Sequence, residues 1–391
     1  MTKRIFIIAG ELSGDRLGAA LMNNLSKLDD FEFMGIGGPQ MSAAGIKSRF
    51  DMSELSVMGL LEVVPKIPNL LKRVRETADA IIAEKPDAVV TIDSPDFCLR
   101  VLDKAKAALP NLKTIHYVAP SVWAWRPERA EKMAKYVDHV LALLPFEPPY
   151  MEAAGMSCDF VGHPVTSEPE VTKADQIALR RDLGFSAKDR VITLLPGSRK
   201  SEISRMLPIY LDTVRALAAA NRDIKFAIAV APSVKAEVQK RTAKARLPIA
   251  LLLPTGSVEE TEARKRALYA LSDCAIATSG TVALELAAQD CPMVIAYKAN
   301  WMTTRLVKKL AKIDTANLIN ILTETRVVPE YLFEAATVEN IVRATQNLLS
   351  SDKRQTDALR KAMHLLGKGD KDAEHWAARS VLRYLGYKCR F

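Results

Sequence analysis

Residues 5–15 read Ile-Phe-Ile-Ile-Ala-Gly-Glu-Leu-Ser-Gly-Asp. The first four side chains are apolar and mostly β-branched, which is typical of a short buried strand. Beyond Asp15 an amphipathic helix is predicted by leucines that recur at steps of three or four residues: Leu17, Leu21, Leu25 and Leu28. A buried strand that runs directly into a helix is the repeating unit of an α/β protein with a parallel sheet.

The same alternation of strand and helix continues through the chain in two series. The first series contains the predicted strands Ile5–Ile8, Phe31–Ile36, Ala88–Ile92, Thr114–Val118 and His139–Leu144. The second contains Arg190–Leu195, Ile224–Val230, Ile249–Leu253, Cys274–Ala277 and Met293–Tyr297. Short apolar strands separated by helices predict an α/β fold of two Rossmann-like, doubly wound domains, each with a parallel sheet covered on both faces.

The predicted domains are residues 1–168 and residues 169–345, divided near the polar stretch 167–174. Residues 346–391 are predicted to be helical, and we expect them to pack back on the first domain. Doubly wound domains bind ligands at the carboxyl ends of their strands, so a cleft between the two domains is expected.

The composition agrees with a two-domain globular protein. At 391 residues the chain is long for one core, and 49% hydrophobic with 26% charged residues is ordinary for a folded protein. The five cysteines are scattered without a Cys-x-x-Cys pair, which argues against a disulfide framework and a structural zinc site. Without an apolar run of about 18 residues or the features of a signal peptide, we expect a cytoplasmic location.

The net charge of +9 fits an anionic partner such as a membrane surface or a phosphorylated small molecule. The basic residues are dispersed and do not alternate with aromatic residues, which disfavours a nucleic-acid partner. A solvated basic surface without a partner is the alternative interpretation.

Small and polar residues follow the first predicted strand, with Ser13, Gly14 and Asp15 at the start of the helix. Glycine permits a close approach of the backbone to a ligand, and a helix N-terminus favours an anion or a hydroxyl. The alternative is a plain strand-to-helix turn. The Gly-x-Gly-x-x-Gly spacing of dinucleotide sites is absent, which argues against a NAD-dependent oxidoreductase.

Two carboxylates, Asp93 and Asp96, follow the third predicted strand, where α/β active sites are assembled. A general base for an alcohol would have to lie at such a position, and Asp93 is preferred because it directly follows the strand. The alternative is that one of them only caps the next helix. Aromatic and basic residues follow the fourth strand and suit a sugar ring and a phosphate: His116, Ser121, Trp123, Trp125 and Arg126. A packing corner built on tryptophan is the alternative there.

In the second domain, Gly197, Ser198 and Arg199 follow a strand and form a natural cradle for a diphosphate. A second phosphate-binding turn is predicted at Ser279-Gly280-Thr281, which opens a helix. One turn inside that helix, Glu285 offers two oxygens to the hydroxyls of a ribose, although an acid in a first turn also simply favours the helix dipole.

The stretch 55–75 is apolar, contains two prolines and then becomes basic. It is either a patch that contacts lipid or a buried segment of the core. The residues assigned to a lipid-facing patch are Val57, Met58, Leu60, Leu61, Val63, Val64, Lys72, Arg73 and Arg75.

The ordered set of motifs resembles the lipid-A-disaccharide synthase family. The matching motifs cover nearly the whole chain: residues 10–15, Val57-Met58-Gly59, Asp93–Phe97, His116–Arg126, Leu144–Glu147, Gly162-His163-Pro164, Leu195–Arg199, Ser279-Gly280-Thr281 with Glu285, and Pro292-Met293-Val294. The resemblance implies the GT-B type of fold, with two Rossmann-like domains and the active site between them.

The resemblance also implies the reaction. The family transfers 2,3-diacylglucosamine from UDP-2,3-diacylglucosamine to 2,3-diacylglucosamine 1-phosphate, with inversion at the anomeric carbon and without a metal or cofactor. It implies Asp93 or Asp96 as the base and a peripheral position at the inner membrane. Donor-binding positions fall on Arg199, residues 279–281, Glu285 and Asn320. The chain departs from the family pattern at Cys98, Ile319 and Phe333.

Two other functions share some of these features. A nucleotide-sugar epimerase can have the same two-domain fold and UDP-sugar site, but it needs neither an acceptor nor a lipid-facing patch. A non-catalytic, membrane-peripheral binder of nucleotide sugars would keep Arg199 and Glu285 but would have no use for Asp93.

Overall fold

The computed structural model describes residues 2–55, 67–124, 126–221, 223–299, 314–350 and 353–387. The chain divides into two compact units. The first comprises Met1–Pro164 and Leu366–Phe391, and the second comprises Val165–Leu365.

The first unit is built on a parallel six-stranded sheet. Its strands are β1 (Lys3–Ala9), β2 (Phe31–Ile36), β3 (Ala88–Ile92), β4 (Lys113–Tyr117), β5 (His139–Ala142) and β6 (Ser157–Phe160), in the order β2-β1-β3-β4-β5-β6. The helices of its first segment are α1 (Leu12–Leu28), α2 (Pro39–Ala43), α3 (Ile67–Glu84), α4 (Pro95–Ala108), α5 (Glu128–Ala134) and α6 (Pro148–Glu152). In β1, Ile5 pairs with Phe33 on one side and with Ala88 on the other, so this strand is buried between neighbours.

The second unit repeats the architecture with its own parallel six-stranded sheet. Its strands are β7 (Arg190–Leu195), β8 (Ile224–Ala229), β9 (Ile249–Leu252), β10 (Cys274–Thr278), β11 (Met293–Tyr297) and β12 (Glu330–Leu332), in the order β12-β11-β10-β7-β8-β9. Its helices are α7 (Lys173–Asp182), α8 (Lys200–Ala220), α9 (Lys235–Ala245), α10 (Val258–Leu271), α11 (Val282–Ala288), α12 (Leu318–Thr323), α13 (Val338–Leu349) and α14 (Lys353–Leu365).

The sheet interiors explain why these segments form strands. Residues Ile5–Ala9 are fully buried, and their apolar side chains belong to one continuous core of the first unit. In the second unit, Ile192 and Leu194 of β7 and Ile276 of β10 are likewise fully buried in the core. The predicted α/β class with two parallel sheets is therefore confirmed.

Each sheet has one strand more than the sequence predicted. The additional strands, β6 and β12, lie at sheet edges and have only four and three residues. Their sequences, Ser-Cys-Asp-Phe and Glu-Tyr-Leu, have no β-branched residue, because an edge strand is packed on fewer sides than a central one.

The C-terminal segment differs from the prediction that residues 346–391 pack back on the first domain. Helix α14 (Lys353–Leu365) belongs to the second unit, where the buried side chain of Gln355 bonds to Met293 at the start of β11. The division also falls after Pro164, four residues before the predicted boundary at residue 168.

A last helix, α15 (Trp376–Leu385), completes the first unit. The His139 ring of β5 stacks on Tyr384 with ring centroids 4.8 Å apart, and its Nε2 shares a 2.8 Å hydrogen bond with the Ser380 hydroxyl. Just before the helix, the carbonyl of Glu374 accepts a 2.7 Å hydrogen bond from Asn24 of α1. The segment is thus fixed to both the sheet and its first helix.

Four cysteines in the described ranges, Cys98, Cys158, Cys274 and Cys291, are buried free thiols. Over those same ranges, no helix has the length and apolar character needed to cross a bilayer.

Candidate functional site

A pocket of about 500 Å³ opens in the second unit, at the carboxyl ends of β7, β8 and β10. This edge of a doubly wound sheet is where ligands bind. Predicted donor-binding residues form part of its wall: Gly197, Ser198, Arg199, Ser279, Gly280, Thr281 and Glu285. The structure therefore brings two sequence motifs, 80 residues apart in the chain, to one pocket.

The turn after β7 is shaped by the carboxylate of Glu202. One of its oxygens accepts backbone N–H bonds from Ser198 (2.9 Å) and Arg199 (3.2 Å), and the other accepts from the Arg199 guanidinium (3.1 Å). Gly197 has φ +105°, and a Cβ there would overlap the Glu202 side chain, so the turn requires glycine. The Arg199 side chain is 68% exposed, which leaves most of its guanidinium accessible from the pocket.

Glu285 lies in the first turn of α11, where two donors from α10 reach one of its oxygens. Lys265 Nζ lies 3.2 Å from Oε2, and the Tyr269 hydroxyl lies 3.4 Å from the same atom. Burial by itself lowers the pKa of Lys265, but the carboxylates of Glu285 and Glu262 outweigh it and raise that pKa, so the ammonium stays charged. Burial raises the pKa of Tyr269 well above its usual value, so its hydroxyl stays a neutral donor.

Three further residues of the pocket, all on α10, were not predicted from the sequence. Thr261, Lys265 and Tyr269 all line the pocket and follow one another at steps of four, so they share one face of the helix. A stripe of polar and aromatic side chains at that spacing, between two predicted strands, is the signal that could have identified them.

In the first unit, the turn after β3 holds the candidate base. Asp93 is half-buried, and its Oδ1 accepts a 2.9 Å hydrogen bond from the Ser94 backbone N–H. Both residues have positive φ, +52° and +45°. A Cβ on Gly10 would lie 2.5 Å from the Ser94 hydroxyl, so the turns after β1 and β3 meet at one edge of the sheet. Asp96 is exposed in the first turn of α4.

The three residues predicted at the start of α1 have different environments. Ser13 is exposed, whereas Gly14 is buried against Ile92. The Asp15 carboxylate is fully buried and accepts backbone N–H bonds from Gly38 (2.8 Å), Gln40 (2.9 Å) and Met41 (3.0 Å). Its contacts hold the start of α2, and its predicted ligand role stays a prediction.

His116 also has a structural role, and its predicted sugar contact stays a prediction. Its ring is buried on β4, and its Nδ1 shares a 2.7 Å hydrogen bond with the Thr91 hydroxyl of β3. Burial lowers the pKa of His116 to about 4, so the ring is neutral inside the sheet. Successive side chains of a strand point to opposite faces of the sheet. Neighbouring residues in the sequence therefore do not show which face His116 occupies.

The loop after β4 contains both exposed polar residues and a packed tryptophan. Ser121 and Arg126 are exposed, and Trp125 lies outside the described residues. The Trp123 indole packs edge-on against Phe146, with centroids 5.1 Å apart, and donates a 3.3 Å hydrogen bond to the buried carboxyl of Glu147.

Asn320 is not among the residues that line the pocket. Its buried side chain donates to the carbonyl of Val328 (3.0 Å) and accepts from the N–H of the same residue (3.0 Å), which ties α12 to the approach to β12. These bonds give Asn320 a structural role, and its predicted donor contact stays a prediction. Of the departures from the family pattern, Cys98 and Ile319 are buried, and the ring of Phe333 packs edge-on against Tyr297.

The predicted lipid-facing patch is described only in its basic part. Val57, Met58, Leu60, Leu61, Val63 and Val64 lie outside the described residues. Lys72 and Arg75 are exposed on α3. Arg73 is instead 21% exposed and paired with Glu54 (2.6 Å) and Glu76 (2.7 Å), so its charge is already neutralised within the first unit.

The sequence comparisons with known proteins agree on one family. The sequence model of the lipid-A-disaccharide synthetase family matches residues 5–381. A lipid-A-disaccharide synthase of Ruegeria pomeroyi is 51% identical over 381 residues, which cover 97% of this chain and 94% of the relative. One of Pseudomonas aeruginosa is 37% identical over 384 residues, which cover 97% of each.

Solved structures with the same fold include complexes with UDP and with UDP-GlcNAc. The S. aureus MnaA complex with UDP aligns over 100% of this chain and 98% of its own, with a TM-score of 0.67 and 15% identity. The UDP-GlcNAc 2-epimerase from Neisseria meningitidis bound to UDP-GlcNAc aligns over 98% and 100%, with a TM-score of 0.63 and 12% identity. At these identities the likeness shows the fold alone.

The family model spans almost the whole chain, and relatives well above 30% identity cover 97% of it. The resemblance carried by the motifs is thus confirmed, and the chain belongs to the lipid-A-disaccharide synthetase family.

Proposed function

We propose that this chain is a lipid-A-disaccharide synthase. It transfers 2,3-diacylglucosamine from UDP-2,3-diacylglucosamine to 2,3-diacylglucosamine 1-phosphate and yields the β-1,6-linked tetraacyldisaccharide 1-phosphate and UDP. The observation that carries this proposal is the match of the family over residues 5–381.

The pocket of the second unit suits the nucleotide part of the donor. Its volume of about 500 Å³ is in the range of small-ligand sites. The Arg199 guanidinium can form two parallel hydrogen bonds to a diphosphate, and Glu285 can accept bonds from the two ribose hydroxyls. We therefore assign the residues around Gly197 and Gly280 to binding of UDP.

Asp93 is the proposed catalytic base. It would take the proton of the acceptor 6-hydroxyl while that oxygen attacks the anomeric carbon. The bond from the anomeric carbon to the diphosphate breaks on the opposite side, so the configuration inverts and the electron pair leaves with UDP. Arg199 stabilises the charge that grows on the departing diphosphate, and no metal is needed for that step.

The choice between Asp93 and Asp96 follows from their surroundings. Asp93 is half-buried directly after β3 and is oriented by the N–H of Ser94, whereas Asp96 is exposed on the first turn of α4. A base held in one orientation loses less freedom when it meets the acceptor hydroxyl, so Asp93 is the better candidate.

The enzyme is proposed to act at the inner face of the membrane that holds its acylated substrates. The net charge of +9 and the exposed pair Lys72 and Arg75 favour anionic headgroups. Ile67 and Leu71 are exposed apolar side chains on the same helix. Sedimentation with vesicles tests this proposal: binding should require anionic lipid and weaken with salt, and equal binding to neutral vesicles would contradict it.

The reaction itself is tested by UDP release from UDP-2,3-diacylglucosamine in detergent with a chelator present. Release that depends on 2,3-diacylglucosamine 1-phosphate and survives the chelator supports a metal-independent transferase. Folded protein that releases no UDP would contradict the proposal. Conversion of the donor sugar without an acceptor would point to the epimerase that shares the fold.

A further inference from the structure

Lys265 is a second cation in the UDP pocket, and neither the family motifs nor the sequence analysis assigned it a role. It lies on α10, with its side chain 24% exposed, and lines the pocket beside Glu285. Its Nζ is 3.2 Å from Glu285 and 2.5 Å from Glu262. The lysine therefore connects two carboxylates at the wall of one cavity.

The contacts of Glu285 are asymmetric. Oε2 receives both Lys265 Nζ and the Tyr269 hydroxyl, whereas no hydrogen bond to Oε1 comes from any residue in the described ranges. A carboxylate that is held by one oxygen keeps a fixed orientation and presents the other to a ligand. Because Glu285 remains 37% exposed, that second oxygen is accessible to a pair of hydroxyls.

The charge around the pocket gives Lys265 a further effect. The lining contains three carboxylates, Glu202, Glu262 and Glu285, and two cations, Arg199 and Lys265. Glu202 is already paired with Arg199. Without Lys265 two acids would face the pocket without a cation bonded to them, and they would repel the negative diphosphate through a partly desolvated region.

We propose that Lys265 is a positioning residue for the nucleotide: it holds Glu285 in the orientation that accepts the ribose hydroxyls and offsets the negative charge of the pocket wall. This inference rests on the proposed function, since it assumes that the pocket takes UDP. Tyr269 assists through its hydroxyl, which donates to the same oxygen of Glu285.

Calorimetric titration with UDP and with uridine tests the inference on the full-length protein. Lys265→Met keeps the apolar stem and removes the charge, and we expect UDP affinity to fall about tenfold, the loss of one hydrogen bond between charged groups. Uridine, which lacks the diphosphate, should lose less. Lys265→Arg should restore most of the affinity, and Lys240→Met, at an exposed site on α9, serves as the matched control.

A further variant keeps the inference falsifiable if Lys265→Met is unstable. Tyr269→Phe removes only the hydroxyl and should weaken UDP binding about threefold, as expected for one neutral hydrogen bond. In a Glu285→Gln background, Lys265→Met should cause a smaller loss than in wild type, because the part of its action that passes through Glu285 is already removed.

Steady-state kinetics add a readout that a purely structural role would not give. The KM for the donor should rise about tenfold in Lys265→Met while kcat stays within about twofold, because only binding of the nucleotide changes.

A folded Lys265→Met that binds UDP within about twofold of wild type would overturn the inference while leaving the proposed function intact. An undiminished loss in the Glu285→Gln background would also overturn it, since Lys265 would then contact the nucleotide itself. Wild-type protein that binds no UDP would instead overturn the proposed function.

Discussion

Asp93 adopts a backbone conformation that L-amino acids rarely occupy. Its φ of +52° is followed by +45° at Ser94, and Val118, at the end of the neighbouring strand β4, has φ +84°. A left-handed conformation costs about 1–2 kcal/mol for a non-glycine residue, and a β-branched residue tolerates it poorly. Such strain concentrates at functional sites, where the surrounding structure holds it. The carboxyl edge of β3 and β4 is therefore the part of the first unit where chemistry is expected.

We predict that Asp93→Asn lowers kcat by at least about a hundredfold, the usual contribution of a general base. The amide still offers an oxygen to the Ser94 N–H, so the turn is kept. UDP affinity, measured by calorimetry, should not change, because the pocket lies in the other unit. Asp103→Asn, at an exposed site on the following helix α4, is the matched control. Loss of turnover in Asp96→Asn with normal turnover in Asp93→Asn would reverse the assignment.

Glu147 is a buried acid outside the proposed chemistry. Burial raises its pKa to about 7, although the N–H groups of Leu144 and Trp123 act in the opposite direction. The folded protein therefore binds this proton more tightly than the unfolded chain, whose glutamate has a pKa near its ordinary value of about 4.3. The contribution of Glu147 to stability is complete below the pKa of the unfolded chain, about 4.3. It is lost as the pH rises through the pKa of the folded protein, about 7.

We predict that between pH 5 and pH 8 the free energy of unfolding of wild type falls by up to about 3 kcal/mol relative to Glu147→Gln. Urea unfolding of both proteins at each pH measures this difference. The buried ring of His116 and the half-buried ring of His163, with pKa values lowered to about 4 by burial, favour stability at higher pH, but they affect both proteins equally. Parallel pH profiles for the two proteins would contradict the prediction.

At the scale of elements, helix α14 depends on one polar side chain. Gln355 is buried, donates to the carbonyls of Met293 (3.2 Å) and Val327 (3.1 Å), and accepts from the Met293 N–H (2.5 Å). These bonds supply partners to the backbone at the start of β11 and before β12. Because Gln355 bonds to two segments of the sheet, its hydrogen bonds fix the position of α14 in addition to the apolar packing.

We predict that Gln355→Leu, which has nearly the same volume, destabilises the second unit by about 3 kcal/mol, because it leaves buried backbone groups without partners. The urea midpoint of the second unit, followed by hydrogen exchange of β11, should fall. Gln346→Leu, at an exposed position on α13, should change it by less than about 0.5 kcal/mol. Equal midpoints for the two variants would show that the Gln355 bonds contribute nothing.

At the scale of the whole molecule, the first unit is assembled from two distant segments of the chain. Helix α15 contributes buried apolar side chains to that core: Ala377, Ala378, Val381, Leu382 and Leu385. Each larger one is expected to contribute about 1.5–3 kcal/mol through burial. The first unit is therefore not complete without residues that follow the second unit in the sequence.

We predict that a chain ending after Leu365 loses hydrogen-exchange protection in β1, β3 and β5 but keeps it in β7 and β10. UDP binding should survive this deletion, because all the described residues that line the pocket belong to the second unit. Full protection of the first unit in the truncated chain would show that α15 is dispensable.

Strands that are buried on both faces were predicted from the sequence, and two short strands at the sheet edges were not. Central strands such as Ile5–Ile8 were predicted because they are buried on both faces, and β6 and β12 were missed because edge strands carry a weaker pattern. The glycine turns that line the pocket were recognisable, since their conformation restricts the residue type. Lys265 was not recognisable from the sequence, because only the packing of α10 against α11 brings it to Glu285. The burial of Asp15 and His116 was not predicted, because the direction of a polar side chain cannot be read from its neighbours.

The discontinuity of the first unit has a consequence for synthesis on the ribosome. Asn24 meets the carbonyl of Glu374 only after 350 further residues have been translated, which takes on the order of 20 s or more. The second unit, Val165–Leu365, is contiguous and can fold within that interval, although it begins later. The surface that awaits α15 stays open in the meantime and is available to chaperones or to other nascent chains. Slow translation near the 3′ end of the message should therefore lower the yield of folded protein more than an equal delay inside the second unit.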